Sequence, residues 1–218
     1  MPRHITVPVF CCALLAFSAA HATTLDYDAY LGDRKVGEAN VRIEKDQSGY
    51  RVSGKASAIG ITGFLTRWRS YFIVRGIFAR GHDARADAFR LSERKSSKSK
   101  DIYLEDGQVH LVKDGVPTRT TAPPMSRDLL TALFAAPDCT RDDAVHNGKD
   151  IWRLQLLDSG NNDDGSQYCT FHVVDEDDKD FETRVSFDSV DGDVVPVKLS
   201  FHGSFEGRLE LKRLATRG

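Results

Sequence analysis

The chain has 218 residues, with 30 Lys and Arg against 32 Asp and Glu, and is 40% hydrophobic and 28% charged. A net charge of −2 leaves no basic surplus to suggest nucleic acid as a general partner, and the length suits one domain around one core.

The first element in chain order is a leader. Arg3 and His4 give a short basic start, Ile5 to Ala20 is almost wholly apolar or small, and Ala20-His21-Ala22 has the small-x-small form that signal peptidase cuts. A cleaved signal peptide over 1–22 is expected, with a mature chain beginning at Thr23 in the periplasm. The apolar core is short for a membrane anchor. Phe10 and Pro8 stand where a lipidation signal around Cys11 wants a small and an aliphatic residue. No later stretch is apolar enough to span a membrane.

From Thr23 onward the chain reads as short strands separated by turns. Leu25, Tyr27, Ala29 and Leu31 alternate with polar neighbours, Gly32-Asp33 turns the chain, and Ala39, Val41 and Ile43 alternate in a second strand. Asp46 to Gly49 make the next turn, before a third strand carrying Tyr50, Val52 and Gly54. An aromatic stretch from Phe64 to Val74 places Trp68, Ser70, Phe72 and Val74 opposite Arg67, Arg69, Tyr71 and Ile73. Further strands are expected at Ile77 to Arg80, Ala86 to Leu91, Glu93 to Leu104 and Gln108 to Lys113, punctuated by Asp106-Gly107 and Asp114-Gly115. The C-terminal part continues with Ile151 to Leu157, Tyr168 to Val174, Thr183 to Ser189, Pro196 to His202 and Glu206 to Leu214. Short links between consecutive strands predict a mainly β fold, an antiparallel meander closing into a strongly curved or barrel-like sheet over 23–218.

One segment breaks the period of two. After Pro123-Pro124, Ser126 can cap a short amphipathic helix in which Leu129, Leu130, Leu133 and Phe134 recur at helical spacing, ending near Ala136. About three turns are marginal alone, so its apolar stripe must plug or flank the sheet. Just beyond lies Cys139, which with Cys169 makes an even pair once the leader is gone. In an oxidising compartment this is expected to be a disulfide, contributing about 3–4 kcal/mol in the chain-entropy model.

Several stretches resemble an exported bacterial family described as domain of unknown function 3108. They are Tyr27-Asp28-Ala29-Tyr30-Leu31-Gly32, Lys35-Val36-Gly37-Glu38-Ala39, Gly49-Tyr50-Arg51-Val52-Ser53-Gly54, Arg127 to Leu133, Asn147-Gly148-Lys149-Asp150 and Val195-Pro196-Val197, with a close near Gly207 to Leu211. The resemblance implies a periplasmic, largely β protein with a curved or barrel-like sheet. It carries over no reaction and no catalytic residue.

The residues themselves assemble no catalytic motif. His82, His110, His146, His172 and His202 form no metal-ligand spacing, and the acidic run from Asp175 to Asp180 lacks a Ca²⁺-loop pattern and reads as a solvated hairpin tip. Gly203-Ser204-Phe205-Glu206-Gly207 has its serine one place too early for a nucleophile elbow. No cofactor, metal or enzyme activity is expected. Arg94, Lys98 and Lys100 would share one face if Glu93 to Leu104 is a single strand. That stripe reads either as an edge protected by lysines or as a surface for phosphate-bearing lipids or an acidic partner. Gly37 and Gly54, inside strands, mark bulges or close backbone contacts. Trp68 and Phe72 are core residues or, in an incompletely closed barrel, walls of an apolar groove completed by Leu130 and Phe134. The expected function is non-catalytic binding of a lipid or other amphipathic ligand, or of an envelope protein. The alternatives are an interaction protein using a free strand edge and a hydrolase whose site gathers His172 or His202 with a carboxylate and a hydroxyl.

Overall fold

A computed structural model describes residues 21–78, 84–121, 126–139, 143–203 and 206–212. Residues 1–20 of the expected leader, the strand end expected at Arg80, His82, Pro123-Pro124, Ser204-Phe205 and Leu214 lie outside the described residues.

The N-terminal strands are β1 (His21–Leu31), β2 (Arg34–Lys45) and β3 (Gly49–Ala58), then a helix α1 (Gly60–Thr66) of about two turns, then β4 (Arg69–Phe78). Next come β5 (Ala84–Lys95), β6 (Lys98–Glu105), β7 (Gln108–Lys113), β8 (Val116–Thr121) and the two-residue β9 (Arg127–Asp128). A π-helical turn, Thr131–Ala135, leads to β10 (Asp143–His146), β11 (Ile151–Asn161), β12 (Gln167–Asp175), β13 (Asp180–Val190), β14 (Asp193–His202) and β15 (Glu206–Leu211). β1 begins two residues before the expected mature start.

These fifteen strands form one sheet in the order β8-β7-β6-β5-β4-β3-β2-β1-β15-β14-β13-β12-β11-β10-β9. Every neighbouring pair is antiparallel except β9 with β10. The meander is therefore continuous, with its first strand joined to its last. Register shifts between Ala29 and Tyr30, Arg75 and Gly76, Leu156 and Asp158, and Ser186 and Phe187 bend the strands and steepen the twist. The sheet curls until β9 approaches β5. There the loop after β10 lies on the inner face: the ring of His146 stands 5.7 Å from that of Phe89. Gly148, at φ +90°, approaches so closely that a Cβ would lie 2.6 Å from Phe89 and 2.8 Å from Ile102. Side-chain packing, not a ladder, closes the β9–β10 end against β5 and β6, which makes the fold barrel-like with free edges at β8 and β9.

Several expectations are corrected. Glu93 to Leu104 is a hairpin, because Ser96 takes a left-handed φ of +51° and Lys95 pairs with Lys98. Arg94 lies opposite Ser99, on the other face from Lys98 and Lys100, so the three make no single stripe. Nor is this segment an edge, since β5 pairs with β4 and β6 pairs with β7. The aromatic stretch does not begin as a strand: Phe64 belongs to α1, and β4 starts only at Arg69. The helix expected over 126–136 shrinks to the π-helical turn, because Arg127 and Asp128 pair in parallel with Val145 and His146. Asp128, not Ser126, then caps the turn, its carboxylate accepting from the Thr131 N–H at 2.9 Å and from the Thr131 hydroxyl.

The interior holds two buried clusters. Leu25, Tyr27, Val41, Ile43, Val52, Val74 and Phe134 belong to the first; Cys169, Phe171, Val173, Val185 and Phe187 form the second. Leu133 touches both, so the helical turn works as a plug between them. Cys139 and Cys169 are bonded, with 5.6 Å between their Cα atoms, and this tether holds the plug's exit to β12.

Candidate functional site

Inward-facing side chains shrink along the N-terminal strands toward α1. On β2 they run Ile43, Val41, Ala39, Gly37, and on β3 Val52, Gly54, Ala56, Ala58, paired as Ile43 with Val52, Val41 with Gly54, Ala39 with Ala56, and Gly37 with Ala58. β1 adds Leu25, Tyr27 and Ala29 opposite Val41, Ala39 and Gly37. One end of the barrel is filled by branched side chains. The other end is left hollow.

The hollow end contains a recess of about 460 Å³ lined by Ala29, Gly37, Ala39, Ala56, Ala58, Leu209 and Trp68, with Thr62 and Thr66 of α1 as a roof and Lys95 at the rim. Ala39, Ala56 and Leu209 also wall a second cavity of about 220 Å³, bounded by Tyr27, Phe72, Leu130, Leu133 and Phe134. Leu133 and Leu199 in turn wall a third, of about 210 Å³, formed by Trp152, Leu154, Phe171, Phe187 and Phe201 on the C-terminal half-sheet. The three share walls and follow one apolar inner surface past both sides of the plug.

Beside the plug, Tyr27, Tyr50 and Arg127 are already engaged. The Tyr27 hydroxyl donates to the Pro196 carbonyl at 2.8 Å, and burial pushes its phenol well above the usual range, so it presents only ring to the cavity. At the plug, the Tyr50 hydroxyl stands 2.7 Å from the Thr131 hydroxyl, and burial raises that phenol likewise. Arg127 donates to Asp143 and, at 3.0 Å, to the Ala136 carbonyl at the edge of the third cavity. An apolar chain could lie here without stranding a hydrogen-bonding group.

Of the residues singled out from sequence, Phe72, Leu130 and Phe134 line one cavity together, while Trp68 lines the adjoining recess. Sequence reasoning missed the aromatic walls from β11, β12, β13 and β14 and the small residues that make the room. The shrinking series on β2 and β3 was the available signal. Among the basic residues, Arg94 pairs with Asp101 at 3.1 Å and Lys100 with Glu93, whereas Lys98 has no acidic partner among the described residues. Burial alone would raise the Asp101 carboxyl, but hydrogen bonds from Ser92 and Arg94 outweigh it and hold the group below the usual carboxylate range.

Among the described residues, His172 and His202 do not converge on one cleft. His172 meets Asp180 at 3.1 Å beside the exposed β12–β13 turn, His202 lies opposite Glu182 and Glu206, and neither receives a hydroxyl hydrogen bond among the described residues. No cluster of three His, Cys, Asp or Glu with metal-holding geometry occurs among the described residues.

No protein-family profile and no curated protein sequence matches this chain. Among solved structures it is similar to a β-barrel-like protein of domain of unknown function DUF1849 from Brucella abortus, at 11% identity and a TM-score of 0.46, covering 88% of this chain and 95% of that one.

Proposed function

We propose that this is a non-catalytic binding protein of the bacterial cell envelope, exported by its leader, that holds the apolar part of an amphipathic molecule in the hollow end of the barrel. The carrying observation is the shrinking inward series from Ile43 to Gly37 and from Val52 to Ala58, which leaves an apolar recess under α1. Such concave, mostly apolar clefts with a few polar groups at the rim suit small-molecule binding. Lys95 at that rim gives an anionic head group a counter-charge. The resemblance to an exported family and the disulfide fit the same compartment.

The test is titration with N-phenyl-1-naphthylamine, an apolar probe whose fluorescence rises out of water, on wild type and on Ala39→Leu and Ala56→Leu. Both substitutions add bulk where the recess is empty. Wild type should bind and each variant should lose at least about tenfold in affinity at an unchanged urea midpoint, as about 220 Å³ of shared room is reshaped. A wild type that leaves the probe dark, or filled variants that bind as well, overturns the reading. Mass spectrometry of protein from its native host reports the mature N-terminus and any retained lipid.

A further inference from the structure

The helix α1 turns its apolar residues away from the protein. Thr62 and Thr66 face the recess, whereas Ile61, Phe64 and Leu65, at i, i+3 and i+4, are 74%, 77% and 69% exposed, and the helix has no buried residue. Leu31, at the tip of the β1–β2 hairpin, is 52% exposed and borders a recess that also contains Thr62. Contiguous exposed apolar residues of this size mark an interaction site on a soluble surface.

Cations surround that face. Arg67 ends the helix and Arg69 opens β4 directly opposite Arg94. The β5–β6 hairpin is fastened to the helix by the Ser96 hydroxyl, which donates to the Thr66 carbonyl at 3.1 Å, so Lys95 and Lys98 are carried to the same end of the barrel. Arg67, Arg69, Lys95 and Lys98 have no acidic partner among the described residues. Lys95 and Lys98 even face each other across the strands, an arrangement of like charges that costs stability unless an anion lies between or above them.

We propose that α1 is a membrane-docking element: Ile61, Phe64, Leu65 and Leu31 enter the surface of a phospholipid bilayer while Arg67, Arg69, Lys95 and Lys98 meet its anionic head groups. An apolar face ringed by basic side chains is the composition of interfacial elements, and the free cations choose this partner over a second copy, whose own ring would repel them. Docking would set the mouth of the recess, roofed by the same helix, against the lipid. Docking uses the outer face of α1 and is independent of whether the recess holds a ligand.

The test is flotation of the mature chain with vesicles of phosphatidylcholine alone and of phosphatidylcholine mixed with phosphatidylglycerol. Wild type should float only with the mixed vesicles and be released by salt. Phe64→Ser with Leu65→Ser should weaken binding at least tenfold while leaving naphthylamine binding in the recess unchanged, and Lys95→Ala with Lys98→Ala should weaken vesicle binding about fivefold per charge. Because all four side chains are exposed, the variants should fold; if the serine pair does not, the lysine pair and the salt dependence still decide. Wild type that stays unbound, lysine variants that float like wild type, or a dimer by light scattering that the serine pair disperses would overturn the proposal, the last by assigning the face to a second copy.

Discussion

Replacing Thr131 by valine strikes the joint that seats the plug in the sheet. Thr131 is fully buried, its N–H and its hydroxyl both donate to Asp128, and its oxygen lies 2.7 Å from the Tyr50 hydroxyl. A carboxylate only accepts, so the Thr131 proton is committed to Asp128 and Tyr50 must donate to Thr131. The raised phenol keeps that donor protonated. Valine keeps the shape of threonine and deletes the hydroxyl. Two buried groups then lose their partner, the Tyr50 hydroxyl and one Asp128 oxygen, at about 1–3 kcal/mol each, for a loss of about 2–6 kcal/mol. Tyr50→Phe alone removes the donor and leaves only an unfilled hydroxyl lone pair, which costs about 1 kcal/mol. In the double variant no tyrosine hydroxyl is stranded, so the combined loss should fall short of the sum by about 1–2 kcal/mol. Urea unfolding followed by tryptophan fluorescence, with the disulfide intact, measures all three. A Thr131→Val variant within about 0.5 kcal/mol of wild type, or strictly additive effects, refutes the joint.

Burial holds the His146 imidazole below the ordinary histidine value of 6.5, against weaker opposing pulls from Asp128 and Ser126. The unfolded chain therefore takes up a proton that the fold resists: this contribution is complete above 6.5 and is lost as pH falls from there through the folded value. Urea midpoints at neutral and mildly acidic pH should diverge less in His146→Asn than in wild type, and an equal slope would contradict the assignment. Gly54→Ala would place a Cβ 2.3 Å from the Asn40 carbonyl and 2.6 Å from the Phe72 ring, so it should cost about 1–3 kcal/mol and disturb probe binding by moving Phe72; thermal melting and the naphthylamine titration read both. Reduction of Cys139–Cys169, which closes a 30-residue separation, should remove about 3–4 kcal/mol, seen as a lower urea midpoint with reductant than without. An unmoved midpoint would mean that the bond tethers nothing.

What could be seen from sequence followed local rules. Strands with one buried face announced themselves by period two, as in Leu25, Tyr27 and Ala29. The turns at Asp106-Gly107 and Asp114-Gly115 were legible because both residues of each take positive φ, which that pair tolerates. The turn at Ser96 was not, because a serine at φ +51° beside another serine carries no glycine signal, and the lost turn turned a hairpin into one long strand with a false stripe. The short strands β8 and β9 are set by their neighbours. Val116–Thr121 is nearly all exposed, and Arg127–Asp128 is a strand only because β10 lies beside it. Gly54 was readable as a close contact, since its pattern position demanded a side chain that the site had no room for.

The missed helix and the half-placed groove have one physical cause. A helix that packs on a core shows its apolar stripe inward, and pattern reading relies on that. Over the hollow end of this barrel there is no core to receive a stripe: Gly37, Ala56 and Ala58 stop short of α1, which lays Thr62 and Thr66 over the gap and turns Ile61, Phe64 and Leu65 outward. In sequence, those outward residues run on into Trp68, Phe72 and Val74 and borrow their period of two. Trp68 thus reads as a neighbour of Phe72 in one groove, although the helix ends at the left-handed Arg67 and sets Trp68 in the outer recess, with Phe72 in the cavity behind it. Filling the recess from within should therefore act on α1. With Ala58→Leu, the added side chain meets the roof and displaces it outward, which raises proteolytic cleavage at α1 while β1 to β4 stay protected. Cleavage at α1 that Ala58→Leu leaves unchanged would show that the recess and its helix are not coupled.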